Sequence, residues 1–372
     1  MTDSLKFRSA SDRDLYDLLM SAKQRMSEKV LRHIGLERGI LYSERSDREH
    51  LCDALSLLPH DYDSIVHLID ARESSARQEK RTFTTLPVEL DRAELDRVLN
   101  SYKNEPGYQD ELTIQHKRAE GVIVNIAYDE VDYSKTRLMQ RQRRDTSIEF
   151  SFENGKTVIR SQSTVKADEV VAAITRKIEE QKRVNITPVT VSLEGLSSEQ
   201  RTRFFLRLIR GISGYRLMTV VNMRIASEKE EVDLEKGIDI DLPDDDDVAA
   251  TPALVGRVNS IVLSGENLLY SAEYQNLKTG GFFITSMTWQ SEQEAEPKDI
   301  LQFEASFKQA REGTGFRFNA RIARRLQNGK ITSDFKPLEV HRQPSVWRVI
   351  ESSSQQVLAY VKANPTESGD RP

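Results

Sequence analysis

Basic side chains are the residues of this sequence whose types and spacing could do chemistry, and that chemistry is the neutralisation of phosphate. The segment Ser134–Arg144 carries five Lys and Arg and no acid, and a second basic group spans 321–330. Lys and Arg side chains both bind phosphate oxygens, and the planar guanidinium of Arg can also lie along a base or a groove. The predicted nucleic-acid-binding residues are Lys135, Arg137, Arg141, Arg143, Arg144, Arg321, Arg324, Arg325 and Lys330.

Nuclease chemistry is an alternative that uses acidic residues of the same region. A nuclease holds its divalent metal ion with clustered carboxylates, and Asp145, Glu149 and Lys156 surround one predicted hairpin. The even spacing of Asp145 and Glu149 would place both on one strand face, but the pattern Asp…Glu-x-Lys is not met. Because the two acids share a face, a metal-dependent nuclease of an antiviral defence-type system is kept as an alternative. So does a scaffold subunit that binds only protein.

Other motifs that would indicate an enzyme or a cofactor are missing from the sequence. It contains no Gly-x-Ser-x-Gly, no Gly-x-x-x-x-Gly-Lys-Ser/Thr and no Gly-x-Gly-x-x-Gly. The segment His60–Asp70 holds two His and three Asp, but acids of this kind are favoured at the start of any helix. No His-Glu-x-x-His pattern accompanies them. We therefore expect a non-enzymatic protein with no metal site and no cofactor.

Composition and charge exclude several further classes of protein. The 372 residues carry 54 Lys and Arg against 59 Asp and Glu, a net charge of −5, so only local charge could attract a polyanion. No apolar run approaches about 18 residues, and no membrane-spanning helix is expected. The single Cys52 excludes an internal disulfide and a thiolate cluster. Met1–Ser11 is polar and lacks a secretory h-region. We expect a cytoplasmic protein, associated with the nucleoid or nucleus if it binds DNA.

The hydrophobic period divides the chain into a helical start and strand-rich later parts. Apolar residues at helical spacing through 11–73, with a capping box at Ser46–Glu49, predict three short helices. Alternating residues at 122–128 and around Asn154-Gly155 predict strands, the latter a hairpin. Further helices are predicted at 88–103, 166–181, 198–210 and 346–363, and further strands at 187–193, 215–226, 255–263, 282–289, 301–307, 316–323 and 331–335.

This order is not a regular βαβ alternation and indicates an α+β fold. We expect a small N-terminal helical bundle, followed by antiparallel or mixed sheet domains with packed helices. The acid-rich stretch 228–247, which ends in Pro243–Asp247, is typical of an exposed linker. The predicted segments are a helical bundle at 1–75, a helical connector at 76–118, an α+β domain at 119–227, an acidic linker at 228–250, a β-rich domain at 251–363 and a disordered tail at 364–372.

A known family shows a similar order of elements over residues 12–226. The order comprises Arg-Ser-Asp-Arg at 45–48 before an amphipathic helix, the strand Val122–Tyr128, Tyr133 with its basic loop, and a hairpin ending in Ile159–Ser163. In this order the sequence resembles the centromere protein N / Chl4 group of kinetochore proteins. The resemblance implies a pyrin-like helical domain joined to an α+β sheet domain, which together bind nucleosomal DNA and histone. No individual contact residue carries over, and the C-terminal part is not covered.

Nucleic-acid binding is thus the preferred hypothesis for this sequence, either alone or as a subunit of a nucleoprotein complex. The expected partner is DNA in preference to RNA. A basic groove rimmed by 135–144 would contact mostly phosphate, so binding should weaken steeply with salt. A protein partner or a homo-oligomer stays open, and no membrane partner is expected.

Overall fold

The chain has an α+β fold with helices packed on antiparallel sheet, which confirms the predicted fold class. It divides into two compact units: the N-terminal unit is 1–79 with 87–186, and the C-terminal unit is 80–86 with 187–372. The predicted acidic linker at 228–250 lies outside the described residues. The computed structural model describes residues 9–21, 23, 25–72, 79–105, 110–117, 121–153, 155–227, 260–264, 282–325, 332 and 334–365.

Within 9–72, short helices with one apolar face each form a bundle. The Ser11 hydroxyl accepts a hydrogen bond from the Asp14 amide at 3.3 Å, and the Asp47 carboxylate accepts one from the His50 amide at 2.8 Å. These side chains satisfy amides that a helix start leaves without partners. The predicted capping box was therefore wrong by one residue, since Asp47 takes the capping position. The helices are α1 (Asp12–Met20), α2 (Glu28–Glu37), α3 (Arg48–Ser56) and α4 (Tyr62–Arg72).

Four helices lie in 9–72 where three were predicted, and Arg48 of α3 bridges the break between α1 and α2. Its guanidinium donates to the carbonyl oxygens of Leu19 at 2.6 Å, Met20 at 3.1 Å and Met26 at 3.1 Å. Carbonyls at a helix end need such partners because the helix itself supplies none. The buried side chains of this core are Leu15, Leu18, Leu19, Met26, Leu31, Ile34, Leu51, Cys52, Leu55, Ile65, Leu68, Ile69, Leu138 and Met139.

The rest of the N-terminal unit is an antiparallel sheet with two packed helices. Its strands run in the order β2 (Glu111–Lys117), β3 (Gly121–Val131), β4 (Arg141–Glu153) and β5 (Lys156–Gln162). A single 3₁₀ turn, Arg137–Met139, lies between β3 and β4. The predicted hairpin is β4–β5, with Gly155 at a φ of +73° in its turn. The helices are α5 (Arg92–Lys103) and α6 (Val165–Lys182), which pack on each other.

The C-terminal unit is built of antiparallel strands with two helices on one face. Its core contains Phe204 and Leu208 of one helix, Ile350 of the other, and Phe303 and Trp289 of the sheet. The strand order is β1 (Arg81–Leu86), β10 (Thr314–Ala323), β9 (Ile300–Gln309), β8 (Phe282–Gln293), β6 (Tyr215–Ser227) and β7 (Ser260–Ser264). A short strand, β11 (Lys336–Pro337), also pairs with β10. The two helices are α7 (Ser198–Arg210) and α8 (Gln343–Ala363).

The two units differ from the predicted segments because long-range strand pairing decides them. The predicted connector 76–118 contains β1 and β2 as well as α5, and β1 pairs with β10 of the C-terminal unit. The predicted domain 119–227 is divided after 186, because α7 and β6 bury their apolar faces with β8 and β9. The predicted strand at 187–193 is not a strand and makes only an isolated bridge from Val189 to Thr85.

Candidate nucleic-acid interface

The basic residues of 135–144 do not form an open cationic loop in the structure. Arg141, Arg143 and Arg144 belong to strand β4, and only the earlier two precede it. Every one of the five is paired with a carboxylate. The pairs are Lys135–Asp132 at 3.5 Å, Arg137–Asp14 at 2.7 Å, Arg141–Asp129 at 3.7 Å, Arg143–Glu111 at 2.8 Å and Arg144–Glu130 at 3.1 Å.

Strand register explains why a segment without acids is nevertheless neutralised. Strand β3 carries Asp129 and Glu130 near its end, and the antiparallel register places Asp129 directly opposite Arg143. Opposite charges at facing positions interact across the strands. Exposed pairs of this kind stabilise a protein by only about 0–1 kcal/mol, but they cancel the local positive field. The expected excess of positive charge is therefore not found among the described residues around this loop.

The second predicted group also loses most of its charge to ion pairs. Arg324 pairs with Glu339, and Arg325 pairs with Glu292 at 2.8 Å. Lys330 lies outside the described residues. Arg321 is different: it is exposed on β10, and its side chain forms no ion pair with any described residue. Of the nine predicted residues, Arg321 is thus the one that the described structure leaves open to a ligand.

Arg321 lies on a polar sheet face that the sequence analysis did not identify. Residues directly opposite each other in antiparallel strands share a face, and so do alternate residues of one strand. Three such residues on each of four strands form this face, and all of them are polar. The polar face comprises Arg317, Asn319 and Arg321 of β10, Gln302, Glu304 and Ser306 of β9, Ser286, Thr288 and Gln290 of β8, and Thr219, Asn222 and Arg224 of β6.

Lys80, immediately before β1, reaches the same polar face. Its Nζ lies 2.5 Å from Oε1 of Glu304 and 3.5 Å from the Ser306 hydroxyl, which also accepts a 3.2 Å hydrogen bond from Nε of Arg317. Burial lowers the pKa of Lys80 below its ordinary value. Glu304 opposes this shift, while the nearby positive charges of Arg317 and Arg224 add to it. Among the described residues, the polar face and Lys80 together hold four basic side chains, Lys80, Arg224, Arg317 and Arg321, and one carboxylate, Glu304.

The opposite side of the same strands is entirely different in chemistry. There Phe303, Phe307, Phe316, Phe318 and Trp289 are buried against α7 and α8. The polar face carries neither of these helices. Its signal in the sequence was the polar half of each alternating strand, but the residues come from segments as far apart as 219 and 321. Only the strand order brings them together.

The structure brings no metal-binding cluster together in the part of the chain that it describes. Asp145 and Glu149 do share a strand face, as their spacing predicted, but four residues of strand separate them by about 13 Å. In the segment His60–Asp70, the Asp61 carboxylate accepts from the Ser64 amide at 2.8 Å, and His60 contacts Arg38 at 3.0 Å. Helix capping thus accounts for Asp61, and the contact with Arg38 accounts for His60.

No protein-family model matches the chain, and no curated protein matches it either. Among the helices that the structure describes, none combines the length and the apolar character needed to cross a membrane.

Proposed function

We propose that this protein binds nucleic acid without catalysing a reaction, and that the polar face of its C-terminal unit makes the contact. The observation that supports the proposal is a four-strand face of Arg, Asn, Gln, Ser and Thr around a single carboxylate, on which Arg321 is exposed while Asn319 and Ser306 are buried. These are the side chains that bind phosphate oxygens and base edges. The carboxylate, Glu304, is paired with Lys80 and opposes a polyanion little.

The polar face takes the place of the loop 135–144 as the principal contact. The loop arginines would have to leave their carboxylates before they could bind phosphate. Arg317 and Arg321 have no carboxylate partner among the described residues. DNA is preferred to RNA as the ligand on the resemblance to DNA-binding kinetochore proteins.

A titration of labelled DNA tests this proposal. The duplex has about 20 base pairs, roughly two helical turns, and an RNA duplex of the same length competes with it. Changing Arg317→Gln and Arg321→Gln together removes two phosphate contacts, which should lower the slope of log affinity against log salt by about 2.

The matched control is Arg143→Gln with Arg144→Gln, which also removes two strand arginines but two that are already paired. It should change the affinity by less than about twofold, as exposed paired charges contribute little. If the unchanged protein binds no DNA at low salt, or if both double variants lose affinity equally, the polar face is not a nucleic-acid contact.

Binding to a protein partner alone is the second candidate function, and three exposed leucines of the helical bundle favour it. Leu36 and Leu41 precede and follow Arg38, whose guanidinium donates to the Pro59 carbonyl at 2.6 Å. Near that contact Leu57 is also exposed, and Leu41 is 85% exposed. Exposed apolar side chains offer contacts to a protein partner. Failure to bind either heparin or DNA at low salt would favour this function.

A further inference from the structure

Strand β2 (Glu111–Lys117) is an edge of the antiparallel sheet in the N-terminal unit. It pairs with β3 on one side, and no described strand pairs with it on the other. An edge strand presents a row of backbone N–H and C=O groups that the sheet itself does not pair, and a further strand can bind them. Proteins commonly protect such an edge by keeping the strand short, or with a proline, a bulge or charged side chains.

The residues of β2 provide little of this protection. The strand is seven residues long, and its register with β3 runs from end to end without a shift. It contains no proline, and its acid and its lysine, Glu111 and Lys117, stand at its two ends. The middle of the strand is therefore suited to pairing with another strand.

The apolar face of the sheet is incompletely covered at this edge. Leu112 lies opposite Ile126, and Ile114 lies opposite Val124. Both residues of β3 are fully buried, but Ile114 is part-exposed. A further strand beside β2 would remove Ile114 from water, which is favourable for an apolar side chain.

The sequence of β2 is complementary to itself. When two copies of β2 pair antiparallel, the register that joins all seven residues is centred on Ile114. Directly opposite residues share a face of the sheet, so this register continues the apolar face of one copy into that of the other. The facing positions, each taken between the two copies, are Glu111–Lys117, Leu112–His116, Thr113–Gln115 and Ile114–Ile114.

Charge also favours this antiparallel register. It sets Glu111 opposite Lys117 at both ends, whereas a parallel pairing in register would set like charges side by side. Glu111 contacts Arg143 at 2.8 Å, but its side chain is 77% exposed, and a carboxylate can accept from two cations. Arg143 also contacts Asp129, at 3.6 Å. The existing pair therefore does not prevent the new one.

We infer that this protein forms a homodimer in which β2 pairs antiparallel with β2 of a second copy. The two-fold axis passes between the two Ile114 residues, perpendicular to the sheet. The strands β2–β5 of both copies then form one continuous antiparallel sheet, and each copy presents the same surface to the other, as a two-fold interface requires. This inference goes beyond the proposed function, because it concerns the N-terminal unit and needs no nucleic acid.

Sedimentation of the full chain tests the association. The concentration is varied from about 1 to about 100 μM, which covers dissociation constants of micromolar order. A mass of two chains at the upper end is the expected result. A mass of one chain at every concentration overturns the inference and leaves the proposed function standing.

Charges introduced at the two central exposed positions identify the surface. Thr113→Lys with Gln115→Lys sets Lys against Lys twice across the two-fold axis, which should weaken dimerisation at least about tenfold. The matched control, Thr113→Lys with Gln115→Glu, sets Lys against Glu twice and should dimerise at least as tightly as the unchanged chain. Both native side chains are exposed, so both variants are expected to fold, which thermal unfolding verifies. Equal association of the two variants contradicts the pairing of β2.

A disulfide tests the register itself. In Ile114→Cys the two Cα atoms would lie about 4.5–5.5 Å apart at the two-fold axis, within the reach of a disulfide. In the control, Thr113→Cys, they would lie about 8 Å apart, beyond that reach. The native Cys52 is buried and does not compete. Oxidation should link the Ile114→Cys chains in pairs and leave the Thr113→Cys chains single, and any other pattern overturns the register.

Discussion

Lys80 and Glu304 are joined across the C-terminal sheet, with Nζ of Lys80 2.5 Å from Oε1 of Glu304. The two residues are 224 positions apart, and only the pairing of β1, β10 and β9 brings them together. Both are mostly buried, with 26% and 29% of their side chains exposed. The pair neutralises Glu304, the one carboxylate among the twelve residues of the polar face, while Arg317 and Arg321 have no acidic partner among the described residues.

Breaking the Lys80–Glu304 pair from one side should destabilise the protein. Lys80→Met leaves a part-buried carboxylate without its partner, which we expect to lower the free energy of unfolding by about 1–3 kcal/mol. Lys80→Met with Glu304→Gln should recover most of this loss, because neither side then carries an unpaired charge. Urea unfolding of the single and double variants measures the coupling. Equal stability of all variants would show that the pair contributes nothing.

The same pair predicts the charge dependence of binding. Glu304→Gln removes the one carboxylate among the twelve residues of the polar face, so DNA should bind more tightly at low salt. The difference should shrink as salt screens the field, whose range falls to about 8 Å at physiological ionic strength. The duplex titration measures both effects. A loss of affinity in this variant would argue against an electrostatic role for the face.

Acid should weaken the contact between α5 and α6 through Glu94. Lys182 donates a 2.6 Å hydrogen bond to its carboxylate, and this bond, with one from the Asp91 amide, lowers the pKa of Glu94 below its ordinary 4.5. A carboxylate whose pKa is lowered in the folded protein stabilises the fold at pH values above its ordinary pKa. That contribution is lost as the pH falls through the lowered pKa. Denaturant unfolding between about pH 6 and pH 2 should show a smaller acid loss in Glu94→Gln than in the unchanged protein.

Arg48 should be required for the helical bundle, and Cys52 can report it. Arg48→Met leaves the carbonyls of Leu19, Met20 and Met26 without their donor, which should cost about 2–4 kcal/mol. Arg48→Lys should rescue it poorly, because an ammonium lacks the planar fork that reaches three acceptors.

The Cys52 thiol is buried, and burial raises its pKa, so a thiol reagent should react only when the bundle opens. Faster labelling of Cys52 in Arg48→Met is the expected result. Unchanged labelling would mean that Arg48 does not hold α1 and α2 together.

Two glycines with the same backbone conformation provide a matched pair. Gly313 and Gly214 have φ of +74° and +80°, but a Cβ at Gly313 would lie 2.8 Å from Cβ of Leu193, while nothing lies within 4 Å at Gly214. Gly214→Ala should cost about 1–2 kcal/mol for the left-handed backbone alone. Gly313→Ala should cost clearly more, because the overlap is added. Equal thermal unfolding temperatures would contradict the position of Leu193 over this turn.

Local pattern predicted much of the secondary structure. The hairpin β4–β5, the helices α5 to α8 and the strands β8 to β10 follow from alternation, capping residues and Asn-Gly chemistry, since each depends on neighbours in sequence. Elements that depend on distant partners were missed. The strand β1 is formed by pairing with β10, and the stretch 187–193 makes one bridge instead of a strand.

By itself the sequence determined the fold class, the core face of most elements and the cationic segment 135–144, because these rest on residue type and period. The tertiary structure alone decided where the charge is effective. Register set Asp129 against Arg143 and neutralised the segment that the sequence had marked as open. Strand order set Arg317, Arg321 and Arg224 on one surface. Charge acts through space over a few ångströms, and only the fold decides which charges lie that close.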